Sequence, residues 1–295
     1  MAAAPHLLLV NPSAGGGRAG KLVATASAAL TDGGVDHRIV MTTNIEHGRS
    51  EAREAASRGE SVIVMSGDGL IGQVGGELAE TGVAMGIIPG GRGNDFARVI
   101  GIPDDVEEAA GIIARGQTRR IDVGEAGGAR FLCIASCGFD SDANRMANES
   151  WLRGPLVYAY AGIKALIRWK PARFELSLDG EALTFTGYTV AAANSKAYGG
   201  GIFLAPDARL DDGLLDVVIT ADTPKLRFLS GLPAAFKGKH VSRPEVTMRR
   251  CRELRIQADR PFSLYGDGDP IAELPVTVRL LPAALDVIVP PPSRP

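Results

Sequence analysis

The residue types best suited to chemistry cluster in glycine-rich turns. Asn11-Pro12-Ser13-Ala14-Gly15-Gly16-Gly17, Ser66-Gly67-Asp68-Gly69 and Pro89-Gly90-Gly91-Arg92-Gly93-Asn94-Asp95 each follow a short apolar run. Glycine lets backbone N–H groups approach a phosphate closely, and the N-terminus of a following helix adds positive potential. Each of these stretches taken singly also reads as a plain turn, and the first is not a P-loop, because no GK[ST] ends it. Together they ask for a common cause, since a misplaced glycine weakens its element by roughly 1 kcal/mol. A shared polyphosphate ligand accounts for all three. Asp68, flanked by Gly67 and Gly69, is suited to hold magnesium directly or through water while the glycines admit phosphates.

Two acidic stretches stand in the second half. Leu204 to Leu214 (LAPDARLDDGL) brings Asp207, Asp211 and Asp212 together. Adjacent carboxylates repel unless they are solvated or bound to a cation, so a solvated turn and a cation site are both open. Tyr265-Gly266-Asp267-Gly268-Asp269 is a glycine-spaced acidic turn. Phosphoryl transfer to an alcohol needs a base near the hydroxyl, and a carboxylate suits that role. By itself this stretch says only that the chain turns.

The elements that must position these turns follow from hydrophobic patterning. The runs 6–10, 36–42, 61–65 and 84–88 read as strands, and 21–30, 50–58, 74–80 and 95–100 as helices. Regular β-then-α alternation predicts a parallel sheet covered on both faces. After Arg119-Arg120-Ile121-Asp122 the pattern changes to successive strands over 130–136, 174–178, 183–193, 214–220, 245–250, 253–258 and 276–280. Asp179-Gly180 marks a hairpin between two of them. Helical inserts are expected near 151–168 and 224–237. The predicted fold is therefore an α/β N-terminal domain over 1–122 and a mostly antiparallel β domain over 123–284. The apolar run Leu285 to Val289 either returns to the first domain or stays in the second.

At 295 residues the chain suits two domains. Its apolar fraction of 45% and charged fraction of 22% are those of a packed globular protein. A formal net charge of −2 argues against nucleic acid as a partner. Cys133, Cys137 and Cys251 cannot all pair and show no zinc spacing, so they read as buried thiols in a reducing compartment. No targeting segment is visible, and no apolar run reaches the roughly 18 residues that would span a bilayer.

Read in order, NPSAGGG, SGDGL, IPGGRGNDFAR, RRIDVG, CGFD, YGGGIFLAPDARLDDGLLDV, and YGDGDP with LPVTVRLLP cover nearly the whole chain. Together they resemble the diacylglycerol kinase catalytic-domain family, which also holds sphingoid-base kinases and bacterial lipid kinases. The resemblance implies a parallel-sheet nucleotide domain of the NAD-kinase and diacylglycerol-kinase type, with the active site in the cleft between the domains. Asn11, Thr43, Ser66, Gly67, Asp68, Gly69, Leu70, Gly72 and Arg92 then match ATP-site positions, with Gly15, Gly16, Asn94 and Asp269 as further nucleotide-side candidates. Asp68 and Asp122 would organise ATP-bound magnesium. Asp267 matches the presumed general base. Arg209, Asp212 and Leu214 match a second, structural metal site of bacterial members, the outer two through backbone carbonyls.

The chain departs from the family pattern at four places. GGDGT reads Ser66-Gly67-Asp68-Gly69-Leu70, and the following Asn-Glu is Gly72-Gln73. The Thr of PxGTGND is Arg92, which brings charge in place of a hydroxyl. DGE becomes Asp267-Gly268-Asp269, one methylene shorter.

The family's substrates imply a membrane lipid as acceptor, diacylglycerol first among them. They also imply a cytoplasmic protein held peripherally at the membrane. Basic residues from Lys225 to Arg260, and Trp151, Tyr158, Tyr160 and Trp169 beside Arg168 and Lys170, have the chemistry of an anionic interface. Scattered solvated charges and core aromatics are the alternative. A sphingoid base, a cofactor such as NAD, or a non-catalytic binding role are the competing functions. The sequence leaves the oligomeric state open, a homodimer included.

Overall fold

The computed structural model describes residues 6–142, 166–167, 169–197 and 199–291. The predicted helix near 151–168 and the aromatics Trp151, Tyr158 and Tyr160 lie largely or wholly outside the described residues.

Four parallel strands form the N-terminal half: β1 (His6–Val10), β2 (His37–Met41), β3 (Val62–Ser66) and β4 (Ala84–Pro89), in the order β2-β1-β3-β4. Leu7, Leu8 and Leu9 of β1 and all five residues of β3 are buried, as a strand covered on both faces requires. The covering helices are α1 (Ala14–Asp32), α2 (Ile45–Ser57) and α3 (Asp68–Leu78), followed by the short α4 (Asp95–Val99) and α5 (Val106–Arg115). Helix α5 carries its own boundary signals. Asp105 accepts hydrogen bonds from the backbone N–H of Glu107 and Glu108 at the start, and Gly116 ends the helix in the left-handed region.

The second half is antiparallel. It runs through β5 (Thr118–Ala126), β6 (Ala129–Phe131), β7 (Ile134–Gly138), β8 (Ala172–Leu178), β9 (Glu181–Ala193) and β10 (Leu215–Ala221). Helix α6 (Lys225–Ala235) follows, and then β11 (Val246–Cys251), β12 (Glu253–Ala258), β13 (Ser263–Gly266), β14 (Asp269–Glu273) and β15 (Val276–Ile288). The hairpin expected at Asp179-Gly180 is present, both residues having positive φ between paired Leu178 and Glu181.

Two strands join the halves. β15 pairs antiparallel with β5 from Val278–Ala126 to Ile288–Thr118, with a register shift between Leu281 and Leu285. Its end also pairs in parallel with β4 through Asp286–Ala84 and Val287–Met85. The C-terminal apolar run therefore returns to the first sheet. The boundary expected at 122/123 falls inside β5, which runs through it unbroken. The strand expected over 130–136 is broken at Leu132 and Cys133, because their N–H groups bond a side chain instead of a neighbouring strand.

Candidate active site

The three glycine-rich turns lie at the carboxyl ends of β1, β3 and β4, where open parallel sheets bind ligands. They touch one another. A Cβ built on Gly15 would stand 2.4 Å from the Gly90 carbonyl oxygen, and one on Gly91 would stand 2.5 Å from Gly67 Cα. Gly15, Gly67 and Gly91 are thus required by turn-against-turn packing as well as by any ligand. Gly15, Gly16 and Gly17 have φ of 62°, 72° and 93°, a run of left-handed backbone that side chains strongly disfavour. The regular part of α1 begins only after them.

Asp267 occupies the first position of a two-residue hairpin between β13 and β14. Its φ of 50° and the 98° of Gly268 are the paired positive angles that such a turn demands. The turn aims the carboxylate at the break between β6 and β7. Oδ2 accepts from the Leu132 N–H at 2.7 Å, and Oδ1 accepts from Cys133 and Ile134 at 2.9 and 3.0 Å. Burial pushes the Asp267 carboxyl up, the three N–H donors pull it down, and the nearby charge of Asp68 raises it, leaving it at about 6. A carboxylate so poised is ionised at neutral pH and basic enough to take a proton.

Asp68 is the first residue of α3, and its Oδ1 accepts from the Phe96 N–H at 3.1 Å. Asp68 and Asp267 line the same cavity, of about 280 Å³, together with Gly72, Asp95, Leu132 and Gly200. Asp95, one residue beyond the candidate Asn94, is buried; its Oδ2 accepts from the Gly200 N–H at 2.6 Å and its Oδ1 from Arg98 at 2.8 Å. The N-terminal half is thereby tied to the loop before β10 across the cavity mouth. Ser136, Asp140 and Ser141 also face this space. Ser136 and Ser141 carry no mark in the sequence, whereas Asp140 ends the Cys-Gly-Phe-Asp stretch and Asp95 belongs to the Gly-Asn-Asp stretch itself.

Other candidates stand elsewhere. Arg92 is exposed and lies over the first turn, its guanidinium 3.6 Å from where a Gly16 Cβ would be. Asn94, with φ of 52°, accepts from Gly91 N–H at 2.9 Å and donates to Asp104 at 2.8 Å, so its side chain staples the turn. Asn11 accepts from the Ser13 N–H, and Thr43 at the end of β2 pairs with His47. Leu70 is a core residue, packed where a Gly48 Cβ would come within 2.6 Å of it, so its side chain does not reach the cavity. Gln73 donates to Asp269 at 3.4 Å, tying α3 to the hairpin of Asp267.

The structure does not bring Asp122 to the cavity. It is buried, Oδ2 accepting from Gly213 N–H and Oδ1 from Ala283 N–H, both at 2.7 Å. Asp122 thus latches β5 to the 210–214 loop and to β15, and both oxygens are already engaged. Asp212 is engaged likewise, by the Leu214 N–H at 3.1 Å and by the Arg250 guanidinium. Arg209 is mostly exposed beside Asp211. A cation held by the Asp212 carboxylate does not fit that arrangement. The cavity is different at Asp68, a hard oxygen donor of the kind magnesium takes: the Phe96 N–H engages its Oδ1, and no hydrogen bond among the described residues engages Oδ2. No group of three or more metal-holding side chains is present among the described residues, so phosphate and water oxygens would complete the shell around Asp68.

A parallel glycine-turn sheet facing an antiparallel β domain, with Asp68 on one wall of the cavity between and Asp267 on the other, is the architecture of a phosphotransferase of the NAD-kinase-like type. Residues 5–126 match the model of the diacylglycerol kinase catalytic domain, and residues 133–289 that of the YegS C-terminal NAD kinase beta sandwich-like domain. The chain belongs to the diacylglycerol kinase catalytic-domain family of lipid kinases. It is 35% identical over 291 residues to a diacylglycerol kinase of Mycobacterium tuberculosis, covering 96% of this chain and 94% of that one. To a diacylglycerol kinase of Bacillus subtilis it is 27% identical, covering 96% and 95%. A crystal structure of a diacylglycerol kinase from Bacillus anthracis shares the fold, with a TM-score of 0.76 at 24% identity over 97% of each chain.

Proposed function

We propose that this protein transfers the γ-phosphate of ATP to the hydroxyl of a membrane lipid, with diacylglycerol as acceptor and phosphatidic acid as product. The observation that carries this reading is the shared cavity of Asp68 and Asp267. The glycine turns and Arg92 grip the triphosphate from the side of Asp68. Magnesium, held by Asp68 and the phosphates, would neutralise charge on the nucleotide.

Asp267 takes the proton of the lipid hydroxyl as its oxygen bonds to the γ-phosphorus. The bond from that phosphorus to the β–γ bridging oxygen breaks, and ADP leaves with the electron pair. The three N–H groups on Asp267 hold the carboxylate in place and restrain its basicity, so the proton it gains can be released between turnovers. No helix among the described residues is long and apolar enough to cross a membrane, so the acceptor would be met at the bilayer surface.

The test is an acceptor panel with γ-labelled ATP: diacylglycerol in mixed micelles, a sphingoid base, and NAD. Label is expected in phosphatidic acid. Label on the sphingoid base or on NAD alone would reassign the acceptor, and label on none, with ATP bound, would make the protein a non-catalytic relative.

A further inference from the structure

Helix α6 carries more apolar side chains than its inner side buries: Phe228 and Leu229 pack against the core of the antiparallel half, and others are left outside. A helix of a water-facing surface buries its apolar stripe and exposes its polar one. Among its residues only Ala235 is buried, while Leu226 is 82% exposed and Leu232 45%, with Phe236 just beyond the helix end at 51%. With Pro233, also exposed, these positions fall within about 120° of arc at 3.6 residues per turn. Seven large apolar side chains are exposed among the described residues, and three of the seven belong to this one short stretch. A fourth, Ile167, is brought beside it by the bond from Lys225 Nζ to the Ile167 carbonyl at 2.7 Å.

Charge follows the same stretch. From Pro224 to Arg243 the chain carries Lys225, Arg227, Lys237, Lys239 and Arg243 and no carboxylate. Arg227 and Arg243 pair with Glu245, whereas Lys237 and Lys239 are exposed and make no ion pair among the described residues. Asp222 is the nearest preceding acid in the chain. An apolar stripe edged by unpaired lysines complements an anionic leaflet, whose interior takes the one and whose headgroups take the other.

The inner face of α6 adds a second observation. Phe228, Leu232 and Ala235 line a mostly apolar pocket of about 170 Å³ with Phe139 and Leu204, and His240 and Glu245 also reach it. Asp140 and Ile202 line both this pocket and the cavity of Asp68 and Asp267. The helix that presents apolar groups outward thus also bounds a mostly apolar space beside the candidate site.

We propose that α6 is the element that seats this protein on an anionic membrane. Leu226, Pro233 and Phe236 enter the leaflet, with Leu232 between them and the inner pocket, and Lys237 and Lys239 meet its headgroups. The reason for visiting a membrane rests on the lipid-kinase reading; the surface itself does not.

The test is cosedimentation of the full chain with vesicles of phosphatidylglycerol and phosphatidylcholine, against phosphatidylcholine alone, for the parent and for L226E/F236E. Both positions are exposed, and L226S/F236S replaces the pair should the double glutamate fail to fold. The expected result is binding to anionic vesicles weakened about tenfold or more, with affinity for ATP unchanged. K237E/K239E is expected to weaken binding and flatten its salt dependence. Undiminished binding by the α6 variants would overturn the proposal. So would a parent dimer that L226E/F236E dissolves while vesicle binding persists, since a second copy would then cover the stripe. Loss of vesicle binding in the variants, with no lipid phosphorylated by the parent, would sink the kinase reading and leave α6 as the membrane seat.

Discussion

The α-carbon of Gly72 faces the carboxylate of Asp267 with little room for a side chain: a Cβ at 72 would stand 3.0 Å from Oδ2 and 3.5 Å from the Asp267 Cβ. The two residues are far apart in sequence, and their contact closes the seam between α3 and the hairpin of β13 and β14. Gly72→Ala is expected to displace the carboxylate by a few tenths of an ångström and to shield it further from water. Lipid phosphorylation should fall roughly 3- to 10-fold, and the acid limb of the pH profile should move to higher pH. Steady-state kinetics across pH 5 to 8 would check both effects, and an unchanged profile would show that the close approach is idle.

Replacing the Asp267 carboxylate separates chemistry from binding. Asp267→Asn keeps an oxygen for the N–H groups of Cys133 and Ile134 but turns an amide donor toward that of Leu132. Turnover is expected to drop by about 10²- to 10⁴-fold with ATP affinity nearly intact. Turnover like that of the parent would remove Asp267 from the role of base.

The pKa of Asp267, raised to about 6, gives two pH dependences of opposite sense. Activity should rise through pH 6 as the carboxylate ionises. Stability should move the other way. The group binds its proton more tightly folded than unfolded, so its stabilising contribution is complete below its unfolded pKa and is lost as pH climbs through about 6. Urea titrations of the parent and of Asp267→Asn, between pH 4 and 7, should show a slope in the first that is reduced in the second.

Asp122 is expected to act on folding and not on metal. Asp122→Ala leaves the N–H groups of Gly213 and Ala283 without their partner, at a cost of about 2 to 4 kcal/mol. Denaturant unfolding would measure it. A loss of magnesium affinity with stability unchanged would return Asp122 to the role of ligand.

Arg92 offers an exposed guanidinium over the first glycine turn. Arg92→Ala should raise the KM for ATP about tenfold, with the difference shrinking as salt is added, while turnover at saturating ATP changes less. An ATP affinity independent of Arg92 would leave the triphosphate to backbone donors alone.

Much of this protein is determined locally. Buried strands such as β1 and β3 are continuous apolar runs that no amphipathic helix could match; the turn after β1 is glycine because three positive φ angles follow in succession, and those after β3 and β4 carry glycine where the turns press on one another. The order of motifs therefore carried the fold class, and it carried Asp68 and Asp267 as candidates. Helix α5 was legible in principle as well, since Asp105 and Gly116 bracket it with ordinary capping chemistry.

Long-range partners decided the rest. Two aspartates look alike along a chain, and backbone N–H groups bind both oxygens of each, yet Asp267 lines a cavity while Asp122 is held between Gly213 and Ala283, 91 and 161 positions away. Leu70 faces α2, and the break between β6 and β7 exists because a distant carboxylate claims the N–H groups there. A residue's type sets which bonds it can make. Which it does make depends on what the folded chain brings within about 3 Å, and that information lies in the packing of elements and not in any one of them.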